Sequence, residues 1–329
     1  MREAFRDRYG SPDVVRLRDV PVPVPGEGEV LVQVRAASVN RADLDALKPK
    51  PGILRVFMGL RAPRDHSVGS DVAGVVDAIG AGVKRFAPGD EVMGDLFGDG
   101  ISGFAEYVCA REKDLEPMPP GMSFEEASTL PHSAVLALQA MHLRKGRAVK
   151  AGDQVLIVGA SGNVGPFAVQ IARSMGAEVT GMASTAKLDM VRSLGADHVL
   201  DYTAVNVLRA GERYDWIVDV DSYLPITGVR RILKPGGAYI TLGGTSRTIF
   251  TGLVVGPLMS LFSSKWTGLM LWWKPWHPPD VAALKELIAA GKLRPVIDRR
   301  YPLREIVEAL QYVEDGHPRG KVVITFERA

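Results

Sequence analysis

Gly159, Gly162 and Gly165 stand three residues apart in GASGNVG, where the apolar run QVLIVG gives way to VGPFAVQIARSMG. Phosphate binding is the chemistry that calls for this spacing. The chain must reverse sharply and let backbone N–H groups at a helix N-terminus approach a pyrophosphate. A side chain at Gly162 would hold phosphates away, and one at Gly165 would separate helix from strand. A glycine turn alone also serves as a plain strand-to-helix turn. Further strand–helix units downstream favour a dinucleotide.

The end of the next strand, AEVTGMA, selects between nicotinamide cofactors. A carboxylate there accepts the ribose hydroxyls of NAD. Instead the strand ends in Ala183, Ser184, Thr185 and Lys187, while Glu178 lies at its other end. No carboxylate is expected at that edge. Two hydroxyls and an ammonium suit a 2′-phosphate, and Tyr202, past the third predicted strand, is placed to close over it. The reading is NADPH, with a solvated first-turn role as the alternative for Lys187.

The elements that must position these residues divide the chain. The first third reads as short strands and turns: VVRLRDVPVPVPGEGEVLVQVRAASV, SDVAGVVDAIGAGV, GDEVMG and GFAEYVCA. Alternating apolar residues and Pro-Gly punctuation predict a β-rich domain. Ser123, followed by Glu125 and Glu126, marks a helix start. From Gln154 strands and helices alternate, with RRILKPGG expected to end the helix before AYITLGG. Such alternation predicts a parallel sheet with right-handed crossovers. Two amphipathic helices, PPDVAALKELIAAG and YPLREIVEALQYVEDG, precede a closing strand, KVVITF.

Composition removes other classes. The 40 basic and 38 acidic residues nearly cancel, and no basic run supports nucleic-acid binding. The single cysteine, Cys109, excludes an intramolecular disulfide and a four-thiolate zinc lobe. The opening MREAFRDRYG lacks the apolar stretch of a secretory signal, so a cytoplasmic, reducing location is expected. Residues 249–273 are long enough to span a bilayer. Lys265, Gly252, Pro257 and three serines interrupt them, and the reading is a buried interface element, with peripheral membrane contact as the alternative.

Over almost its whole length the sequence resembles the medium-chain dehydrogenase/reductase superfamily, in its zinc-free quinone-oxidoreductase-like branch. The stretches that carry the resemblance are PGEGEVLVQVRAASVN, VGSDVAGVVDAIGAGVKRFAPGDEVMG, GASGNVG, MVRSLGADHVLDY, RRILKPGGAYITLGG and HPRGKVVITF. It implies an α/β architecture: a Rossmann doubly wound parallel sheet inserted in a GroES-like β-rich catalytic domain. The expected boundaries are 1–124 with 280–329 for the catalytic domain and 125–279 for the NADPH-binding domain. It also carries Gly162, Asn163 and Val164 onto the pyrophosphate, Ser184, Lys187 and Tyr202 onto the 2′-phosphate, and Leu242, Gly243 and Lys321 toward the nicotinamide.

Zinc-dependent members place a Cys where this chain has Asn40, and Gly-His-Glu where it has Gly69-Ser70-Asp71. Amide and serine are poor substitutes for thiolate and imidazole, so no metal site is expected. Hydride transfer then needs alignment and hydrogen-bond donors for developing charge. Asn40 is the candidate donor; ordering the backbone before RADLDAL is its plainer role. Asp43 reads as a cap partner. Tyr107 and His66 can donate a proton, without a motif behind them. Relatives read LPLAGLTAL where this chain reads LPHSAVLAL, so Leu136 replaces a threonine. His132 is either a helix-turn residue or a polar group new to the site.

Trp266, Trp272, Trp273 and Trp276 follow the last Rossmann strand. KWTGLMLWW aligns with the strand that joins two subunits in similar proteins, implying a homodimer through the 266–273 edge. The expected substrate is a small hydrophobic carbonyl or quinone. The expected activity is NADPH-dependent, zinc-independent reduction of a quinone or enone. Alternatives are a zinc-free alcohol dehydrogenase or carbonyl reductase, and a low-turnover NADPH-binding scaffold or membrane-associated protein.

Overall fold

A computed structural model of the protein describes residues 1–49, 58–97, 102–143, 146–220 and 223–326. They form two compact units: Met1–Val135 with Pro275–Val281 and Pro295–Ala329, and Leu136–Lys274 with Ala282–Arg294.

The first unit is β-rich. A small hairpin pairs β1 (Arg2–Phe5) with β2 (Arg16–Asp19). The main sheet is built on the long β3 (Glu29–Val39), flanked by β4 (Asp71–Ile79), β5 (Glu91–Asp95), β6 (Tyr107–Arg111) and β7 (Leu115–Pro117). Two C-terminal strands, β14 (Ile297–Pro302) and β15 (Lys321–Thr325), complete it, in the order β14-β15-β3-β4-β5-β7, with β6 also pairing β3. Alternate apolar side chains of β3, Val30, Val32 and Val34, meet Val72, Val76, Val92 and Val108 in one core. Among the described residues the α-helices α1 (Arg41–Leu47), α2 (Phe124–Ala127) and α10 (Ile306–Glu314) belong here.

Helix α3 (Ser133–Gln139) leads into the second unit. There β8 (Gln154–Val158), β9 (Glu178–Ala183), β10 (His198–Asp201), β11 (Tyr214–Asp219), β12 (Leu233–Thr241) and β13 (Trp266–Leu269) lie in the order β10-β9-β8-β11-β12-β13. Every pairing is parallel. The order reverses beside β8, which is the Rossmann topology, so the fold is the expected one. The connecting helices include α4 (Gly165–Ser174), α5 (Leu188–Ser193) and α6 (Ile226–Ile232). RRILKPGG ends α6, at Ile232, as expected; β12 begins at once and so earlier than AYITLGG, with Leu233 paired to Tyr214 before a register shift.

Residues 249–273 are not one continuous apolar element. They fold as α7 (Ser246–Phe250), a π-helical turn (Thr251–Val255), α8 (Gly256–Leu261) and the edge strand β13. Several of their large apolar side chains are exposed, Phe262 at 90%. No helix among the described residues is long and apolar enough to cross a membrane. Helix α9 (Pro278–Ala289) follows.

Candidate active site

The glycine turn joins β8 to α4. Gly159 has φ +78, a backbone angle that side chains disfavour. Its carbonyl accepts the Gly162 N–H at 3.2 Å, closing the turn. A Cβ on Gly165 would run into that same carbonyl oxygen and lie 2.6 Å from the Ala160 carbonyl carbon. A Cβ on Gly162 meets only the Gly159 oxygen, at 3.7 Å. The fold itself therefore requires Gly159 and Gly165. Gly162 has room within the protein, so its bare surface is left for an approaching ligand. The amides of Asn163, Val164 and Gly165 lie where the turn enters α4, the helix N-terminus that suits a pyrophosphate.

At the end of β9, Ser184, Thr185 and Lys187 fall on a short 3-10 turn. The expectation of no carboxylate here is corrected. Parallel pairing sets Asp201, the last residue of β10, against Ala183. Its carboxylate accepts from the hydroxyls of Thr185 and Thr203 and from the Thr203 N–H. Those hydrogen bonds, Thr185's foremost, hold its pKa below the usual carboxylate value. Thr185 is thus tied to Asp201; Ser184 and Lys187 flank it on the same turn and have the chemistry that suits a phosphate. Tyr202 is half exposed, its ring 6.2 Å from Tyr223 in an edge-on contact. After β12, Leu242 donates its N–H to the Asp219 carbonyl, and the Gly243 carbonyl accepts from Thr241. Nothing crowds the Gly243 Cα.

The first unit holds a buried polar cluster whose members come from strand ends. Register sets Val39 against Val322, so Asn40 and Lys321 meet just beyond; it sets Asp71 between Ser38 and Asp95. Asn40, 1% exposed, donates through Nδ2 to Asp71 Oδ2 (2.9 Å) and Ser70 Oγ (3.1 Å). Its Oδ1 accepts from Lys321 Nζ (2.6 Å) and Ser133 Oγ (3.2 Å). An ammonium on one side and a carboxylate on the other fix this amide orientation. Both amide protons are spent, so the expectation that Asn40 donates to a substrate is corrected.

Lys321 is likewise committed. Its ammonium, 1% exposed, also donates to Ser133 Oγ at 3.0 Å and lies 3.6 Å from Asp71 Oδ2. Its contacts here are with this cluster. Tyr107 stands apart from the cluster: on β6 its hydroxyl accepts from Gln33 at 3.0 Å. His66 Nδ1–H donates to the Arg6 carbonyl, 2.8 Å away.

His132 belongs to the cluster. Its N–H donates to Asp71 Oδ1 at 3.0 Å, and its Nδ1 is 3.1 Å from Asp95 Oδ2. Burial disfavours the imidazolium, but the hydrogen bond and charge of Asp95 outweigh it, so the pKa is raised. Asp43 accepts the Asn40 N–H (2.7 Å) and the Ser70 hydroxyl (3.2 Å), completing a capping box at α1. Burial pushes its pKa up to about 7. Burial likewise raises Asp71 and lowers Lys321.

Sequence reading had found Asn40, Asp43, Ser70, Asp71, His132 and Lys321 without joining them, and had missed Ser38, Asp95 and Ser133. Asp95 at the end of GDEVMGD was the available signal: a carboxylate closing an apolar strand needs a partner.

The comparisons agree with this architecture. Residues 26–120 match the family model described as alcohol dehydrogenase GroES-like domain, and residues 194–324 that described as zinc-binding dehydrogenase. The mitochondrial NAD(P)H oxidoreductase RTN4IP1 of Mus musculus is 34% identical, over 97% of this chain and 87% of the relative. The chloroplastic quinone-oxidoreductase QR1 of Triphysaria versicolor is 34% identical over 98% of each. Among solved structures, the quinone oxidoreductase from Coxiella burnetii superposes with TM-score 0.85 and 30% identity, over 99% of both chains. On this full-length likeness the chain belongs to the medium-chain dehydrogenase/reductase superfamily, in its quinone-oxidoreductase-like branch, and is an oxidoreductase that takes a nicotinamide cofactor.

Proposed function

We propose that the protein uses NADPH, without zinc, to reduce a small apolar quinone or α,β-unsaturated carbonyl. The observation that carries the cofactor reading is the turn: Gly162 is bare where the fold does not require it. The amides of Asn163, Val164 and Gly165 would hold the pyrophosphate, and Ser184, Lys187 and Tyr202 would surround the 2′-phosphate. Bound NADPH supplies the hydride. Leu242 and Gly243 leave an uncrowded backbone segment after β12, suited to the nicotinamide end.

The donor set argues for metal-free chemistry. Asn40 and Ser70 offer neutral oxygen and nitrogen, and the Lys321 ammonium 2.6 Å from Asn40 Oδ1 repels a divalent cation. The substrate class follows that of relatives, which include quinone oxidoreductases and an NADPH-dependent alkenal/one oxidoreductase of Arabidopsis thaliana, 30% identical. The reading includes a cytoplasmic location and pairing of two copies through the edge strand β13.

The test is NADPH oxidation against a benzoquinone, an enone and an aldehyde, with metal analysis of the same sample. Turnover of quinone or enone above aldehyde, with no stoichiometric zinc, is expected. Aldehyde alone would make this a carbonyl reductase, no turnover with tight NADPH binding a scaffold, and one zinc per chain would end the metal-free reading.

A further inference from the structure

His132 stands one residue before α3 and is held twice. Its backbone N–H donates to Asp71 Oδ1 at 3.0 Å, which fixes the chain. Its Nδ1 lies 3.1 Å from Asp95 Oδ2, which fixes the ring. Asp95 is fixed in turn, because its other oxygen accepts the Phe97 N–H at 2.9 Å where β5 ends. A carboxylate accepts, so Nδ1 carries a hydrogen, and Nε2 is the atom through which this ring exchanges a proton. The pair is not uniformly sealed. The Asp95 side chain is 0% exposed and the imidazole 11%, so the ring is the member that solvent reaches. Phe97, 36% exposed, packs beside it with ring centroids 5.9 Å apart. A proton-bearing ring beside a partly exposed phenyl group suits an apolar substrate that carries an oxygen: one surface meets its skeleton, the other its developing charge.

The charges that face this ring come from four strand ends and one helix. Burial and the Lys321 ammonium oppose an imidazolium here. The Asp95 hydrogen bond and the charges of Asp95 and Asp71 outweigh them, and Asp43 acts in the same sense when ionised. The ring therefore keeps its proton to a higher pH than an ordinary histidine does.

We propose that His132, oriented by Asp95, is the acid that completes the reduction, with Phe97 along the apolar part of the substrate. Hydride addition to a quinone, or to the β-carbon of an enone, leaves an anionic oxygen. The Nε2–H bond of His132 breaks with its electron pair kept on nitrogen, and an O–H bond forms on that oxygen. Solvent then returns a proton to the neutral ring, so that substrate, NADPH and one proton become the dihydro product and NADP+. The step rests on the reading of the protein as a quinone or enone reductase.

The experiment pairs steady-state kinetics of the full chain on a benzoquinone and an enone with an NMR titration of the His132 ring in the absence of cofactor. In the parent, kcat should fall as pH rises through the His132 pKa, because the imidazolium is the reactive form. His132→Gln should lower kcat by about 100-fold, leave KM nearly unchanged and remove that limb of the pH profile. Asp95→Asn should move both the kinetic limb and the His132 titration to lower pH, which a merely structural contact would not do to the kinetics. It also keeps the proposal testable if His132→Gln fails to fold. A folded His132→Gln with the kcat and pH limb of the parent overturns the proposal, as does a His132 ring that titrates at the same pH in parent and Asp95→Asn. A parent that turns over neither substrate removes the proposed function and this step with it, whereas an active parent with an indifferent His132→Gln removes this step alone.

Discussion

Lys187 and Asp201 oppose each other in charge at the end of β9, and cofactor choice turns on which of them a ribose meets. Asp201 already accepts from Thr185 and Thr203, so it is occupied as an acceptor. Lys187 carries the charge that a 2′-phosphate needs and a 2′-hydroxyl does not. Lys187→Ala should weaken NADPH by roughly 10-fold or more while changing NADH by less than about 3-fold, following charged hydrogen-bond energies. Fluorescence titration with both cofactors checks it. An equal loss for the two would mean that Lys187 does not contact the phosphate and that Asp201 governs the edge.

At the scale of an element, the three glycines of one turn do different jobs. Gly165 sits against the carbonyl of Gly159, so Gly165→Ala should cost on the order of 2 kcal/mol in stability and abolish dinucleotide binding. Gly162→Ala adds a methyl group with no contact closer than 3.7 Å, so its melting temperature should stay near that of the parent. Its NADPH affinity should fall by about 10-fold or more, because that methyl stands where phosphates approach. Calorimetry and titration on both variants separate fold from binding. A Gly162→Ala protein that binds normally would remove the pyrophosphate from this turn. The turn was legible because its spacing is local; the start of β12 was not, since Leu233 pairs with a residue of another strand where the local signal reads as a helix stop.

For the molecule as a whole, the buried cluster ties α1 and the ends of β3, β4, β5 and β15 to one proton balance. Asp43 has its folded pKa at about 7 against 3.8. The folded chain therefore keeps a proton that the unfolded chain releases, so this contribution to stability is complete below 3.8 and disappears as pH rises through about 7. Asp71 and His132 are shifted in the same direction. Stability should fall by a few kcal/mol between about pH 4 and about pH 8, and Asp43→Asn should flatten that slope and exceed the parent in stability at the upper end. Urea unfolding across that range measures it. A parallel slope in the variant would show that Asp43 stays ionised.

Sequence alone determined the order of elements, the Rossmann unit, the glycine turn and the basic and hydroxyl character of its neighbour. Each is written within a few residues, where spacing and side-chain type express local geometry. Only the tertiary structure decided that Asn40 has no proton to offer and that Lys321 points to Asn40, Ser133 and Asp71. It also decided that Asp201 stands beside Ala183, and that the segment beyond β12 turns Gly256 and Ser260 toward the sheet. Those outcomes rest on strand register and on which side of a helix meets the sheet. Register joins residues hundreds of positions apart, as in the Lys321–Asn40 contact, and no local pattern encodes it.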